Sequence, residues 1–207
     1  MRPAARGPRP IDLAPAVGFE WERLLARWVP GDPYQPEPGT ARYYETKARI
    51  ARWLEPASLL EIGVRAGYSA LAFHMGHPFT RYLGLDLDVS TWGGVAGYMA
   101  EARDRLAHLC NRSELLVEDT QRLTDLPSAG AGGWDMIHVD GDHSFKGALH
   151  DICLSLDAPA RYVVVDDYDF LPTVRQAADY VVAARGLESW YVNDGGYRGN
   201  LVIANER

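Results

Sequence analysis

The run Leu59-Leu60-Glu61-Ile62-Gly63-Val64-Arg65-Ala66-Gly67-Tyr68-Ser69 constrains the fold more than any other part of the chain. An apolar stretch ends in an acid, two glycines follow four positions apart, and an amphipathic segment over 69–75 takes over at once. This is the pattern of strand, tight turn and helix. Glycine at 63 and 67 lets the backbone bend sharply and lie close to a ligand, and unpaired N–H groups at the helix start face whatever sits there. Such a loop can hold a nucleoside-containing ligand, although Gly-x-x-x-Gly turns also occur where a strand and a helix merely pack. A second apolar run, Tyr82-Leu83-Gly84-Leu85, ends in Asp86, and an acid at the end of the second strand is where folds of this kind bind ribose hydroxyls. The nicotinamide fingerprint Gly-x-Gly-x-x-Gly fits less well, because its middle glycine position holds Arg65.

The chain has 207 residues, 47% hydrophobic and 24% charged, which suits one compact domain with a sizeable core. A net charge of −7 disfavours a nucleic-acid partner, since phosphate neutralisation needs a face rich in lysine and arginine. A small neutral or cationic acceptor suits it better. Cys110 and Cys153 fall in different predicted helices without Cys-x-x-Cys spacing, so buried free thiols are expected, with neither a zinc site nor a disulfide framework. No apolar run approaches the ~20 residues of a membrane span, and the Arg- and Pro-rich start lacks the apolar core of a signal peptide. A cytoplasmic enzyme is the expectation.

Residues 1–18 carry four prolines and little to bury, so a flexible N-terminal arm is expected, which could tie onto a partner subunit; a homodimer or higher homo-oligomer stays open. Residues 19–56 form a helical and loop cap: Trp21, Leu24, Leu25 and Trp28 recur at helical spacing, a proline-rich loop follows, and 43–54 reads as a helix. The remainder, 57–207, is the catalytic domain. Within it, Ser90-Thr91-Trp92-Gly93-Gly94-Val95-Ala96-Gly97-Tyr98 opens a helix with three glycines and two large aromatics. That is either an aromatic entrance for a base or substrate, or a close helix–helix approach. Residues 114–117 read as a third strand, and 189–192 with 201–203 as a closing hairpin around Asn193-Asp194-Gly195-Gly196. Tyr197, Arg198 and Asn200 there either face an acceptor or decorate the turn.

Acidic residues cluster at two strand ends. Trp134-Asp135-Met136-Ile137-His138-Val139 runs into Asp140-Gly141-Asp142-His143, and Tyr162-Val163-Val164-Val165 runs into Asp166-Asp167. If these strands are parallel neighbours, three carboxylates meet at one edge. Adjacent buried like charges cost several kcal/mol unless protons are shared or a cation binds, and an all-oxygen set suits Mg²⁺ or Mn²⁺ better than zinc. Alternatively Asp166 and Asp167 are helix-capping or turn acids.

The pattern Glu-Ile-Gly-Val-Arg-Ala-Gly followed by Leu-Gly-Leu-Asp resembles the first two motifs of class I S-adenosylmethionine-dependent methyltransferases. His-Val-Asp-Gly-Asp-His-Ser-Phe, then Val-Val-Val-Asp-Asp-Tyr, is similar to their metal-dependent small-molecule O-methyltransferases, acting on macrolide or aminocoumarin sugars or on catechols. The resemblance runs from about residue 40 to the C-terminus. It implies a Rossmann-like doubly wound α/β fold with a seven-stranded, mostly parallel sheet and an antiparallel C-terminal strand. It implies S-adenosylmethionine held by Glu61, Gly63, Gly67, Tyr68, Ser69, Asp86 and Asp140, with Asp119 and Thr120 near adenine. Tyr43, Tyr44 and Lys47 become candidates to close over the methionine part, or are core. Asp140, Asp166 and Asp167 take the Mg²⁺ or Mn²⁺ role. His143 takes the role of general base, with Asp142 as helper or as the base itself; a neutral imidazole is available at pH 7. His138, inside its strand, reads as a core or cofactor-edge residue. The implied reaction is methyl transfer to a hydroxyl of a small molecule, a sugar or other natural-product intermediate, with no nucleic acid and no membrane involved. The rivals are a catechol-type enzyme and a non-catalytic cofactor-binding protein, and the latter would be expected to have lost the acids.

Overall fold

The computed structural model describes residues 7–205 apart from Pro38, Trp92, Ala131, Gly196 and Tyr197, so the expectations placed on Trp92, Tyr197 and the first six residues lie outside the described residues. Four βα units in sequence build the centre. The apolar strand β2 (Ser58–Ile62) leads through the glycine loop into α3 (Tyr68–Gly76); β3 (Arg81–Asp86) leads to α4 (Tyr98–Leu106) and β4 (Arg112–Val117). Then β5 (Trp134–Val139) feeds α5 (Phe145–Asp157), and β6 (Ala160–Val165) feeds α6 (Pro172–Arg185). Ser144 caps α5 by accepting the Gly147 N–H at 3.1 Å, and Pro172 opens α6 with its φ already set for a helix.

The sheet closes with the antiparallel pair β7 (Ser189–Val192) and β8 (Asn200–Ala204), giving the order β1-β7-β8-β6-β5-β2-β3-β4. All neighbours run parallel except β8, which is antiparallel to both β6 and β7. The sheet has eight strands where seven are expected. The addition is β1 (Arg9–Ile11), which pairs parallel with β7, so this part of the arm is sheet edge. It stays there because Ile11 and Leu13 pack into the same apolar cluster as Val192.

Strand periodicity divides the core into two layers. Leu60, Ile62, Ile137, Val139, Val163 and Val165 face α5 and α6. Leu59, Met136 and Val164 face the other way, with α3, α4 and α2 (Thr40–Leu54). Glu61 and His138 alternate onto this second face and stand directly opposite each other in the β2–β5 register. An aromatic cap on α1 (Trp21–Leu25), shorter than the spacing through Trp28 predicts, packs with Trp28, Tyr44 and Tyr68 over the start of α3. Cys110 lies in a turn after α4 and Cys153 in α5; both thiols are free and half-buried, not fully buried. Among the described residues no helix is long and apolar enough to cross a membrane.

Candidate active site

Chain order reverses between β2 and β5, and a cavity of about 270 Å³ opens there at the carboxyl ends of the strands, the place where open α/β sheets bind ligands. Its floor is the glycine loop. Gly63 has φ +84°, and a Cβ there would lie 1.9 Å from the carbonyl oxygen of Asp140, so β2 and β5 meet at a point only glycine can occupy. Asp86 folds the loop: one carboxylate oxygen accepts the N–H groups of Val64 and Arg65, each at 2.7 Å, and the other accepts Asp88 N–H at 2.6 Å. A carboxylate accepts about four hydrogen bonds, so Asp86 still has acceptor capacity on the cleft side.

The cavity wall collects most of the residues expected from sequence: Gly63, Tyr68, Ser69, Asp86, Asp119, Thr120, Asp140, Asp142 and His143. Glu61, Gly67, Asp166 and Asp167 are not in it. Gly67 heads α3 with φ +78°, and a Cβ there would strike Leu106, so helix packing dictates this glycine. Glu61 is fully buried beneath the cleft, where it accepts the Tyr82 hydroxyl at 2.6 Å and lies 3.0 Å from His138 Nδ1. Asp119 caps the short turn Thr120–Arg122 through the Gln121 N–H, and the buried Thr120 hydroxyl donates to Asp151 at 2.8 Å. Burial pushes the Asp151 carboxyl up to about 6, against the bonds it accepts from Thr120 and the Asp142 N–H. Thr91, Gly93 and Gly94 line the entrance, and Gly93 and Gly97 have open space where a Cβ would sit, so close helix packing does not explain those two glycines.

The three strand-end acids meet as the parallel pairing of β5 and β6 requires, but each already has partners. His143 Nε2 lies 3.2 Å from Asp140 and 3.8 Å from Asp167. Burial alone would lower the pKa of this imidazole, yet the Asp140 hydrogen bond and the neighbouring carboxylates raise it above the ordinary value. Asp167, with φ +52°, is held by the Arg198 guanidinium at 2.9 and 3.0 Å. Its burial beside the charges of Asp166 and Asp140 pushes its carboxyl up to about 7, against the pull of Arg198. Asp166 is fully enclosed: Lys47 Nζ donates to Oδ2 at 2.6 Å, the Tyr43 hydroxyl donates to the same oxygen, and Asp167 N–H donates to Oδ1 at 2.9 Å. Burial opposes its ionisation, but Lys47 and His138 outweigh that and hold the carboxyl well below the usual range. Asp142 accepts the Ser144 N–H at 2.7 Å and shapes the turn that carries His143.

Packing decides between the alternatives that the sequence leaves open for Lys47 and Arg198, and adds Arg65. Lys47 does not line the cleft; its Nζ is buried between Asp166 and His138 Nε2, 3.2 Å away, beneath Tyr43, which does line it. Arg198 reaches the cleft from the β7–β8 connection. Arg65 pairs with the buried Asp32 and lies over Tyr34 at 4.7 Å, tying the cap loop to the glycine loop. The one available signal was periodicity, because Glu61 and His138 sit at interior positions of otherwise apolar strands and a buried charge demands a partner.

The donor set does not fit the divalent-ion centre that the three acids imply. Among the described residues the groups whose ligand atoms approach within 4.8 Å of one another are Asp140, His143 and Asp167, and His138, Asp140 and Asp166; the three carboxylates together are not such a group. Asp166 has Lys47, and Asp167 has Arg198, where a metal would stand.

Residues 60–168 match a family model described as a methyltransferase domain, more than half of the chain. No curated protein sequence matches. Among solved structures, an O-methyltransferase from Bacillus cereus in complex with SAH is 16% identical with a TM-score of 0.59, covering 89% of this chain and 90% of that one. The O-methyltransferase TomG from Streptomyces achromogenes, involved in tomaymycin synthesis and solved with SAM, is 18% identical at 0.53, covering 89% and 85%. A putative caffeoyl-CoA O-methyltransferase from Staphylococcus aureus is 15% identical at 0.58, covering 90% and 92%. These likenesses are of fold, and the fold is the one built above from β2 to β8. With the family match spanning the glycine loop, Asp86 and both acidic strand ends, the chain belongs to the class I methyltransferases, enzymes that use S-adenosylmethionine.

Proposed function

We propose that this enzyme methylates a hydroxyl of a small molecule, with His143 as the general base. The observation that carries the reading is that His143 shares one cleft with the glycine loop and Asp86, its ring oriented by Asp140. Asp86 would accept ribose hydroxyls, Asp119 and Thr120 would flank adenine, and the backbone of Gly63 would lie against the methionine part; no side chain at 63 blocks that approach. S-adenosylmethionine, when bound, supplies a methyl group already activated by its sulfonium. The protein must align the acceptor oxygen for in-line attack and take its proton. His143 accepts that proton, and Asp140 and Asp167 stabilise the imidazolium that results. Asp142 keeps the turn in place through Ser144.

The fold likeness to TomG, an enzyme of tomaymycin synthesis, supports a natural-product intermediate as acceptor, and the motifs imply a sugar among these. A phenolic, catechol-type acceptor is favoured by a separate observation, the rings of Tyr34, Tyr43 and Tyr44 in the cleft wall. Metal assistance at Asp140, Asp166 and Asp167, which the motifs imply, is disfavoured by the donor geometry. A cytoplasmic location and a homo-oligomer complete the proposal. Calorimetric titration with S-adenosylmethionine and S-adenosylhomocysteine (SAH), followed by a screen of phenols and sugars with radiolabelled methyl donor, tests it. Binding of neither nucleoside by the full chain overturns it.

A further inference from the structure

We propose that Lys47 is the resident cation of this acidic site, so that methyl transfer here needs no divalent metal. The inference rests on the methyltransferase reading and concerns how its acids are neutralised. A lysine ammonium with no exposed surface is costly to desolvate and stays buried only where specific partners hold it. Lys47 has them: Asp166 Oδ2 at 2.6 Å, His138 Nε2 at 3.2 Å, and the faces of Tyr43 and Phe73 at 4.3 and 5.6 Å from the ring centroids. Helix α2 delivers it from the same layer onto which β2 and β5 turn Glu61 and His138, with Asp166 directly after β6. Asp166 accepts three hydrogen bonds, so most of its capacity is used before any ion arrives.

Charge agrees with geometry. Lys47 stands against Asp166 and Arg198 against Asp167, and the imidazolium formed by His143 during transfer lies beside Asp140, so each acid has a cation of the chain's own. A divalent ion on Asp166 would face the ammonium held 2.6 Å from the same carboxylate, a like-charge contact in a buried site. Lys47 acts through Asp166 and Tyr43 and does not touch the reacting atoms; it is a positioning residue. It cannot polarise the acceptor oxygen as a Lewis acid, which leaves proton removal to His143.

The test is Mn²⁺ titration of the chelator-treated full chain with SAH present, reading free Mn²⁺ by electron paramagnetic resonance. The wild type is expected to leave Mn²⁺ free. Lys47→Met, which keeps the stem and removes the charge, is expected to take up Mn²⁺ at least about tenfold more tightly, with the gain lost in Lys47→Met/Asp166→Asn. Wild-type uptake that disappears in Asp166→Asn overturns the proposal, as does a folded Lys47→Met with no gain. Should Lys47→Met fail to fold, the wild-type and Asp166→Asn titrations still decide. SAH affinity, measured by calorimetry on the same samples, separates the two readings: its absence sinks the assigned function, whereas the Mn²⁺ result bears on Lys47 alone.

Discussion

Gly63 shows how much one side chain can cost at the junction of two strands. With φ +84° and the Asp140 carbonyl in the space of its Cβ, Gly63→Ala is expected to destabilise the fold by more than about 3 kcal/mol and to abolish SAH binding. Gly18→Ala is the control: φ is +97° there too, but no atom lies within 4 Å, so only the backbone strain of about 1 kcal/mol remains. Thermal unfolding of the two variants separates contact from conformation, and equal losses would refute the contact argument. At the mouth of the cleft, His143→Gln is expected to lower kcat by about 10²–10⁴-fold while SAH affinity is kept. An unchanged kcat would pass the base role to Asp142. Asp142→Asn preserves an oxygen for the Ser144 N–H, so its effect is expected to be the smaller of the two.

Among elements, α5 is joined to the turn after β4 by the buried Asp151 carboxylate, with His150 Nε2 2.9 Å from the Thr120 carbonyl beside it. Asp151 accepts Thr120 and Gln121 from that turn at 2.8 and 2.9 Å. Its carboxyl is raised to about 6 in the folded chain, against about 3.9 when unfolded, so the folded state holds the proton more tightly between these values. Stability therefore falls as pH rises from about 4 through 6, by about 3 kcal/mol in all, and by neutral pH the loss is complete. Asp151→Asn, which cannot ionise, is expected to flatten that segment of the Tm-against-pH curve. A parallel pair of curves would show that Asp151 is not the group responsible. The same turn presents Asp119 and Thr120 to the cleft, so α5 positions a wall of the site without contributing its own side chains to it.

For the whole molecule, the N-terminal strand is the addition to the expected sheet. Removing residues 1–12 deletes β1, withdraws Ile11 from the apolar cluster and leaves β7 as the edge. At roughly 1–3 kcal/mol for buried apolar side chains, Tm is expected to drop by about 3–10 °C, with SAH affinity unchanged because β1 lies several strands from the cleft. A loss of affinity would contradict that separation. The α/β class, the glycine turn, Asp86 and the two acidic strand ends were legible in the sequence. Each is a local pattern: an apolar run of strand length, a turn residue with the right φ, an acid at a strand end. A three-residue strand at the edge of a proline-rich arm has no such pattern; it exists because β7 offers unpaired backbone groups beside an apolar patch. Likewise, no local rule joins Lys47 to Asp166, 119 positions later, or to His138 and Glu61. Short-range periodicity by itself determined what lines up at the carboxyl edge of the sheet. Only the tertiary structure decided which of those acids meet a cation of the chain's own, because a buried charge is defined by the partner that packing brings to it.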